Sequence, residues 1–560
     1  MFKRIITLAG ITTIIVMLLA TAIPAGQQMA IAGDGGSRGF DLSGLPAKGN
    51  PKLDGALNRM VAERGKPEDV PRMSRHSMQA EETVRVIIQA MPGQGSGIMA
   101  NASGLGNIES SYGDLVQINV PVSGIEALAE LPGVKYVRLP MRPLSAVVSE
   151  GVPLINADDW QTVGYDGAGV KIGIVDGGFS GYAALQGTDL PASVSTWWAP
   201  TFGNEGTSSH GTACAEIVYD IAPAADYYYA NCYTVVEYGA AVDWMISQGV
   251  DIISCSLGWP TAGLGDGSGP ACDVINKAKS AGILWAQSAG NQARRHWQGD
   301  FTDISPADNY HEFSGSDWNN SIYAYNNQNI FAALRWDDPW GASGNDYDLF
   351  LCDQNYAIIT ENIYYSYQSQ DGDDEPWEQL YYTANYTGYY YLFIYNSGAS
   401  QVKNLHLYNA YQDFEYQTAS NSLIIPADSP NALSVGAVFW NAPDTLESFS
   451  SLGPTDNAVV KPDIVAPDGV STASWGPSDG NDFLSYGTGF FGTSASAPHV
   501  AGAAALVKER YPSYSEDDIK SFLEAGAIDL GSTGKDNLYG SGRLDLGSPG
   551  YTLAMAVSGN

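Results

Sequence analysis

The sequence predicts an α/β domain built on a parallel sheet, interrupted by an all-β insert and preceded by a small α+β unit. Three observations point there. After Pro143, apolar runs rich in β-branched residues (Val170–Val175, Asp251–Ser256, Ile283–Ala286) end in loops and alternate with helical stretches, as buried parallel strands with helical crossovers do. Between His296 and Ala419 the helical pattern stops, and aromatics, Asn, Asp and Gly crowd into short alternating runs such as Ile330–Trp336, Tyr347–Cys352, Tyr389–Tyr395 and Asn404–Tyr408, the pattern of a β-sandwich. Upstream, strand-like Val84–Ala90, Leu115–Val120 and Val134–Leu139 flank a short helical run at Ile125–Leu131. The α/β pattern returns at Ser422 with the strand Leu433–Phe439 and a helix of small residues, Ala495–Arg510, suited to packing centrally.

These segments give a domain plan. Residues 1–32 read as an export signal, with Lys3 and Arg4 before the apolar run Ile5–Leu19 and small residues after it. The other reading of that run is a retained anchor, the one route to a membrane. Residues 33–80 read as a linker of mixed Gly, Pro and charge, with one short helix between Pro51 and Arg64. The α+β unit follows at 81–145, the first part of the α/β domain at 146–296, the β-sandwich insert at 297–420, the second part at 421–550 and a tail at 551–560. With 27 basic against 61 acidic residues and a formal charge of −34, phosphate binding would have to overcome repulsion across the surface, so nucleic acid is excluded as a partner. Five cysteines (Cys214, Cys232, Cys255, Cys272, Cys352), none at metal-binding spacing, leave at least one thiol without an internal disulfide and allow up to two bridges.

Three residues can make a weak nucleophile reactive. Asp176 ends the strand Val170–Val175 at its carboxyl end, where open α/β sheets build their sites. His210 opens a small-residue helix, and Ser494 sits at the start of another, with Pro498 read in its first turn and the positive end of the helix dipole beside it. A serine hydroxyl needs a base within hydrogen-bond reach and an orienting group behind that base, roles open to His210 and Asp176. Asn291, after the Ile283–Ala286 strand, offers a side-chain amide to a developing oxyanion.

In order along the chain, Gly-Ile-Val-Asp176-Gly-Gly, His210-Gly-Thr, Ser-Ala-Gly-Asn291 and Gly-Thr-Ser494-Ala-Ser-Ala-Pro-His resemble the four signatures of subtilisin-like serine peptidases. Ser450–Thr455 and Lys461–Pro467 resemble the family's run before the nucleophile. The resemblance implies a subtilisin-like catalytic fold that hydrolyses peptide bonds through an acyl-enzyme, with Ser494 as nucleophile, His210 as general base, Asp176 as its orienter and Asn291 as oxyanion donor. It implies that protein or peptide substrates pair with Ser256, Leu257 and Gly258, with a pocket completed by Ala289 and Gly290. It implies that 81–145 is a ferredoxin-like inhibitory propeptide, cut off between about Pro143 and Glu150, and that the mature enzyme is secreted. Where the family has Ser or Thr after the Asp and a second His near His-Gly-Thr, Gly177 and Ala213 stand here, and Trp259-Pro260 replaces small residues beyond Gly258. Those departures are the footholds of the rival reading, an inactive scaffold that binds through its sandwich.

Within the insert, which also looks like the jelly-roll modules that accompany secreted peptidases, Asp337, Asp338, Asp346 and Asp348 place hard oxygen donors close together, and structural calcium is the natural ligand. The chemistry itself needs no cofactor. The insert's aromatics read as sandwich core, or as a face for protein or carbohydrate.

Overall fold

The computed structural model describes residues 50–53, 57, 61, 83–138, 148–304, 308–366, 369–485 and 487–549. The export segment 1–32, almost all of the linker, the tail 551–560 and most of the Pro143–Glu150 window lie outside them. No helix among the described residues is long and apolar enough to cross a membrane. The chain divides into two compact units, one running Ala25–Ser145 and one from Ala146 onward.

In the first unit, strands β1 (Thr83–Ala90), β2 (Asn107–Tyr112), β3 (Leu115–Pro121) and β4 (Val134–Arg138) form an antiparallel sheet in the order β2-β3-β1-β4. Helices Gly95–Ala102 and Ile125–Ala129 connect β1 to β2 and β3 to β4, which gives the ferredoxin-like βαββαβ order. Alternation puts Val86, Ile88, Val116, Ile118 and Val120 on one buried face against Ile98, Ile125 and Leu128. The sequence reading missed β2, whose polar run Asn-Ile-Glu-Ser-Ser-Tyr carries little apolar signal.

In the second unit, β5 (Lys171–Asp176), β6 (Ser195–Trp197), β7 (Asp226–Asn231), β8 (Ile252–Cys255), β9 (Leu284–Ser288), β18 (Leu433–Phe439) and β19 (Ile464–Asp468) form a seven-stranded parallel sheet, ordered β19-β18-β9-β8-β5-β7-β6. Strands β8, β9, β18 and β19 are buried at every position, which explains their continuous apolar runs. The helices His210–Ile221 and Thr493–Arg510 share the largest apolar cluster with this sheet. They approach closely because Gly502 faces Ile221, whose Cβ would lie 2.8 Å from any side chain added there.

Between β9 and β18 the chain builds two antiparallel sheets. One contains β10 (His296–Asp300), β12 (Asn329–Trp336), β14 (Ile363–Tyr365), β15 (Trp377–Thr383) and β17 (Asn404–Asn409), in the order β10-β17-β12-β15-β14. The other is β11-β16-β13, from Asn320–Ala324, Gly388–Asn396 and Tyr347–Cys352. Ile330, Ala332, Leu334 and Trp336 of β12 alternate inward to meet Leu349, Leu351, Leu392 and Ile394 in one shared core. The opposite face of β12 should be wet in an isolated sandwich, yet Ala333 and Arg335 are also buried. Arg335 explains it. Its guanidinium reaches Asp456 of the α/β part at 2.7 Å and the Leu264 carbonyl, while His406 Nε2 stands 3.2 Å from the same carboxylate. Asp456 is held well below the usual carboxylate range, because the neighbouring Arg335 and His406 outweigh its burial.

Candidate active site

The site is assembled at the carboxyl ends of the parallel strands. Asp176 is the last residue of β5 and 1% exposed, and both its oxygens lie 2.8 Å from Nδ1 of His210, itself 2% exposed. That bond puts a proton on Nδ1 and leaves Nε2 as the basic nitrogen. Gly211 is required behind it, since a Cβ there would stand 2.7 Å from Asp176 Cβ and from the Gly178 carbonyl. At Gly177, where the side-chain hydroxyl is absent, the backbone N–H donates to Asp176 Oδ1 at 2.7 Å. Ala213 is buried in the apolar cluster beneath the pair.

Ser494 is the second residue of its helix and nearly buried. The helix begins at Thr493, so Pro498 stands in its second turn rather than its first. A proline there has no N–H for the carbonyl four residues earlier, which is that of Ser494. The freed carbonyl accepts instead from Ser256 Oγ at 3.1 Å and from Cys214 Sγ at 3.4 Å. Cys214 is one turn after His210, with its sulfur 3.7 Å from Asp176 Oδ2 and 3.9 Å from His210 Nδ1. Burial, then the Asp176 charge, pushes the thiol well up, so it remains a protonated donor that ties the two helices together. The Ser494 hydroxyl makes no hydrogen bond of 3.5 Å or less to His210, a contact that often closes only when substrate is bound.

Asn291 is oriented by its neighbours. Its Oδ1 accepts from the Thr493 N–H at 3.0 Å and the Thr493 hydroxyl at 3.1 Å, which fixes the amide so that Nδ2 is the free donor. Ala289 is buried, and Gly290 adopts φ +106°, where a Cβ would fall 2.6 Å from Gln292 Oε1. Of the proposed substrate edge, Leu257 gives its carbonyl to Gln287, and Trp259 donates to the Ile425 carbonyl at 2.7 Å. Gly258 between them uses neither backbone group in a hydrogen bond among the described residues. His499, one turn beyond Ser494, is structural: its ring bridges the Ala495 carbonyl and Ser149 Oγ, each at 2.8 Å.

No three of the four acidic residues read as a calcium set bring their carboxylate oxygens within 4.8 Å of one another. Asp338 is consumed by Lys403 at 2.6 Å, Ser343 at 2.8 Å and the amides of Asn345. Asp337 accepts from the Asn404 N–H at 3.0 Å. Asp346 and Asp348 stay near each other; burial and then the Asp348 charge push Asp346 up to about 6. Among the described residues of the insert, the acidic side chains that do gather are Asp371, Asp373 and Asp374. All five cysteines are buried and none is in a disulfide.

The His210 helix also carries a cost of burial. Burial pushes Glu216 up to about 7 and Asp220 up to about 8, the nearby acidic groups adding to it for both. Their folded-state affinity for protons exceeds that of the unfolded chain, so the stability they contribute is full below about pH 4 and lost as pH rises through 7 and 8. Asp220→Asn keeps an acceptor for the Ser149 N–H, 2.8 Å away, and removes the charge. Thermal unfolding followed by circular dichroism is expected to show the wild type losing stability between pH 5 and pH 8. The variant is expected to lose less, by on the order of several kcal/mol.

The chain belongs to the subtilase family, the family of subtilisin-like serine peptidases: the family's model matches residues 167–330 and 415–542, on either side of most of the sandwich. Over 128 residues it is 43% identical to subtilisin BL of Lederbergia lenta, a stretch covering 23% of this chain and 41% of that protein. It thus spans less than half the length of that curated relative. Subtilisin DY of Bacillus licheniformis is 25% identical over 417 residues, covering 71% of this chain and 97% of that protein. Among solved structures, the Clostridium perfringens CspB protease matches with a TM-score of 0.49 at 15% identity, covering 71% of this chain and 96% of that chain.

Proposed function

We propose that the chain is a secreted serine endopeptidase that hydrolyses protein substrates through an acyl-enzyme on Ser494 and is made as a self-processed zymogen. The observation that carries the reading is the buried Asp176–His210 pair beside a helix whose start presents Ser494, with Asn291 Nδ2 left free. In this reading His210 Nε2 takes the Ser494 proton as Oγ attacks the scissile carbonyl, and Asp176 steadies the imidazolium. The oxyanion forms against Asn291 Nδ2 and the Ser494 N–H, one of the unpaired donors at the helix start. His210 then protonates the leaving amine, and water repeats the sequence to free the acid. Every group the chemistry needs is a protein group. The ferredoxin-like unit acts as an inhibitory propeptide, cut off ahead of about residue 150.

The test compares wild type and Ser494→Ala, both expressed without the first 32 residues, by intact-protein mass after exposure to a fluorophosphonate. Wild type alone should lose the segment before about residue 150 and gain one adduct. Two folded, full-length, unlabelled proteins would remove the peptidase reading.

A further inference from the structure

The sandwich does more than sit beside the site. A cavity of about 310 Å³ opens from Asp176 and His210 along the Leu257–Pro260 edge, and its far side belongs to the insert. Tyr233, Leu257, Trp259 and Ile424 line one side; Phe331, Gln379 and Tyr408 line the other. Of the five insert residues on the wall, which include Asn409 and Ala410, Phe331, Gln379 and Tyr408 come from β12, β15 and β17 and lie on the sheet face turned away from the sandwich core. That face is fixed. Arg335, four residues from Phe331 on β12 and on the same face, pairs with Asp456, donates to the Tyr408 hydroxyl at 3.2 Å and lies 5.7 Å above the Tyr408 ring. On the other side Trp259 packs tilted against Tyr238, the ring centroids 5.0 Å apart, and donates its indole N–H to the Tyr233 carbonyl.

Asp176, already paired with His210, is the one charged side chain on the cavity wall unless His210 is protonated. Aromatic and aliphatic groups facing one another across the cavity favour a neutral apolar occupant. The free backbone of Gly258 offers a strand-pairing point beside the cavity, so the occupant arrives as a side chain of a chain laid along that edge. Resting on the peptidase reading above, we propose that the inserted sandwich is the second wall of a specificity subsite that takes an aromatic side chain of the substrate, N-terminal to the scissile bond. Main-chain pairing alone would accept many sequences. A wall at Phe331 and Tyr408 makes one substrate position selective.

The experiment measures kcat/KM for peptides that differ only in Phe or Ala at the second, third or fourth position before the scissile bond. Wild type should prefer Phe at one of these by about 10-fold or more. Phe331→Ala should collapse that ratio toward one. Gln379→Trp, which fills the cavity from the same sheet, should invert it toward Ala. Tyr325→Ala, 65% exposed and outside the cavity, should leave the ratio as in wild type. Opposite responses to emptying and filling separate a subsite from general damage to the fold. If both cavity variants label with fluorophosphonate and keep the wild-type ratio, the subsite is refuted and the peptidase reading stands. If wild type neither labels nor cleaves, that reading fails and the subsite with it.

Discussion

Alanine at Ser494 is expected to lower kcat for peptide hydrolysis by about 10⁶-fold, the scale such a loss reaches in subtilisin itself, and alanine at His210 by a similar factor. The double variant should be no worse than either single one. A hydroxyl without a base is a poor nucleophile at neutral pH, and a base without a hydroxyl has nothing to activate, so the two groups act as one device. In the free protein their contact is open, with the Ser494 carbonyl pinned by Ser256 and Cys214 and the His210 ring pinned by Asp176 and packed 5.2 Å from Phe490. Anchors on both sides leave only the Ser494 hydroxyl to rotate when substrate arrives. Single-turnover kinetics with an activated ester, normalised to folded protein, would check it. A His210→Ala variant retaining more than about 1% of wild-type kcat would mean that another group serves as base.

The residues of this device were legible in the sequence because each carries its own local signal: an acid at a strand end, a histidine at a helix start, a serine before Ala-Ser-Ala-Pro. What the sequence hid is how they are held. Pro498 was visible, but its consequence, a carbonyl released to Cys214 280 residues away, depends on a tertiary contact. The same limit holds at Asp338, since nothing near it in the sequence announces that Lys403 will pair with its carboxylate. The two sheets of the insert followed from alternation, which reports one buried face per strand. Burial of the second face around Ala333, Arg335 and His406 did not, because an arginine on β12 looks like solvent exposure until Asp456 folds against it. The cavity lies on that second face.

Asp176→Asn is expected to cost about 10⁴-fold in kcat at neutral pH while leaving KM nearly unchanged. The side chain is 1% exposed and its carboxylate is turned to His210. It accepts the Nδ1 proton through two oxygens at 2.8 Å and so selects the tautomer whose Nε2 is free to take the Ser494 proton. An asparagine can turn its amide N–H toward Nδ1, in which case the ring carries its proton on Nε2 and the base is lost without moving an atom. It also removes the negative charge that steadies the imidazolium during attack. Gly177 sharpens the expectation: its N–H already occupies one carboxylate oxygen, and in the variant it will hold the asparagine oxygen and direct the NH₂ at His210. Asp176→Glu keeps the charge but overfills a place packed so closely on Gly211 that not even a Cβ fits there, so it should rescue little. A kcat loss below about 10-fold in Asp176→Asn, at unchanged KM, would show that packing against Phe490 rather than the carboxylate sets the imidazole.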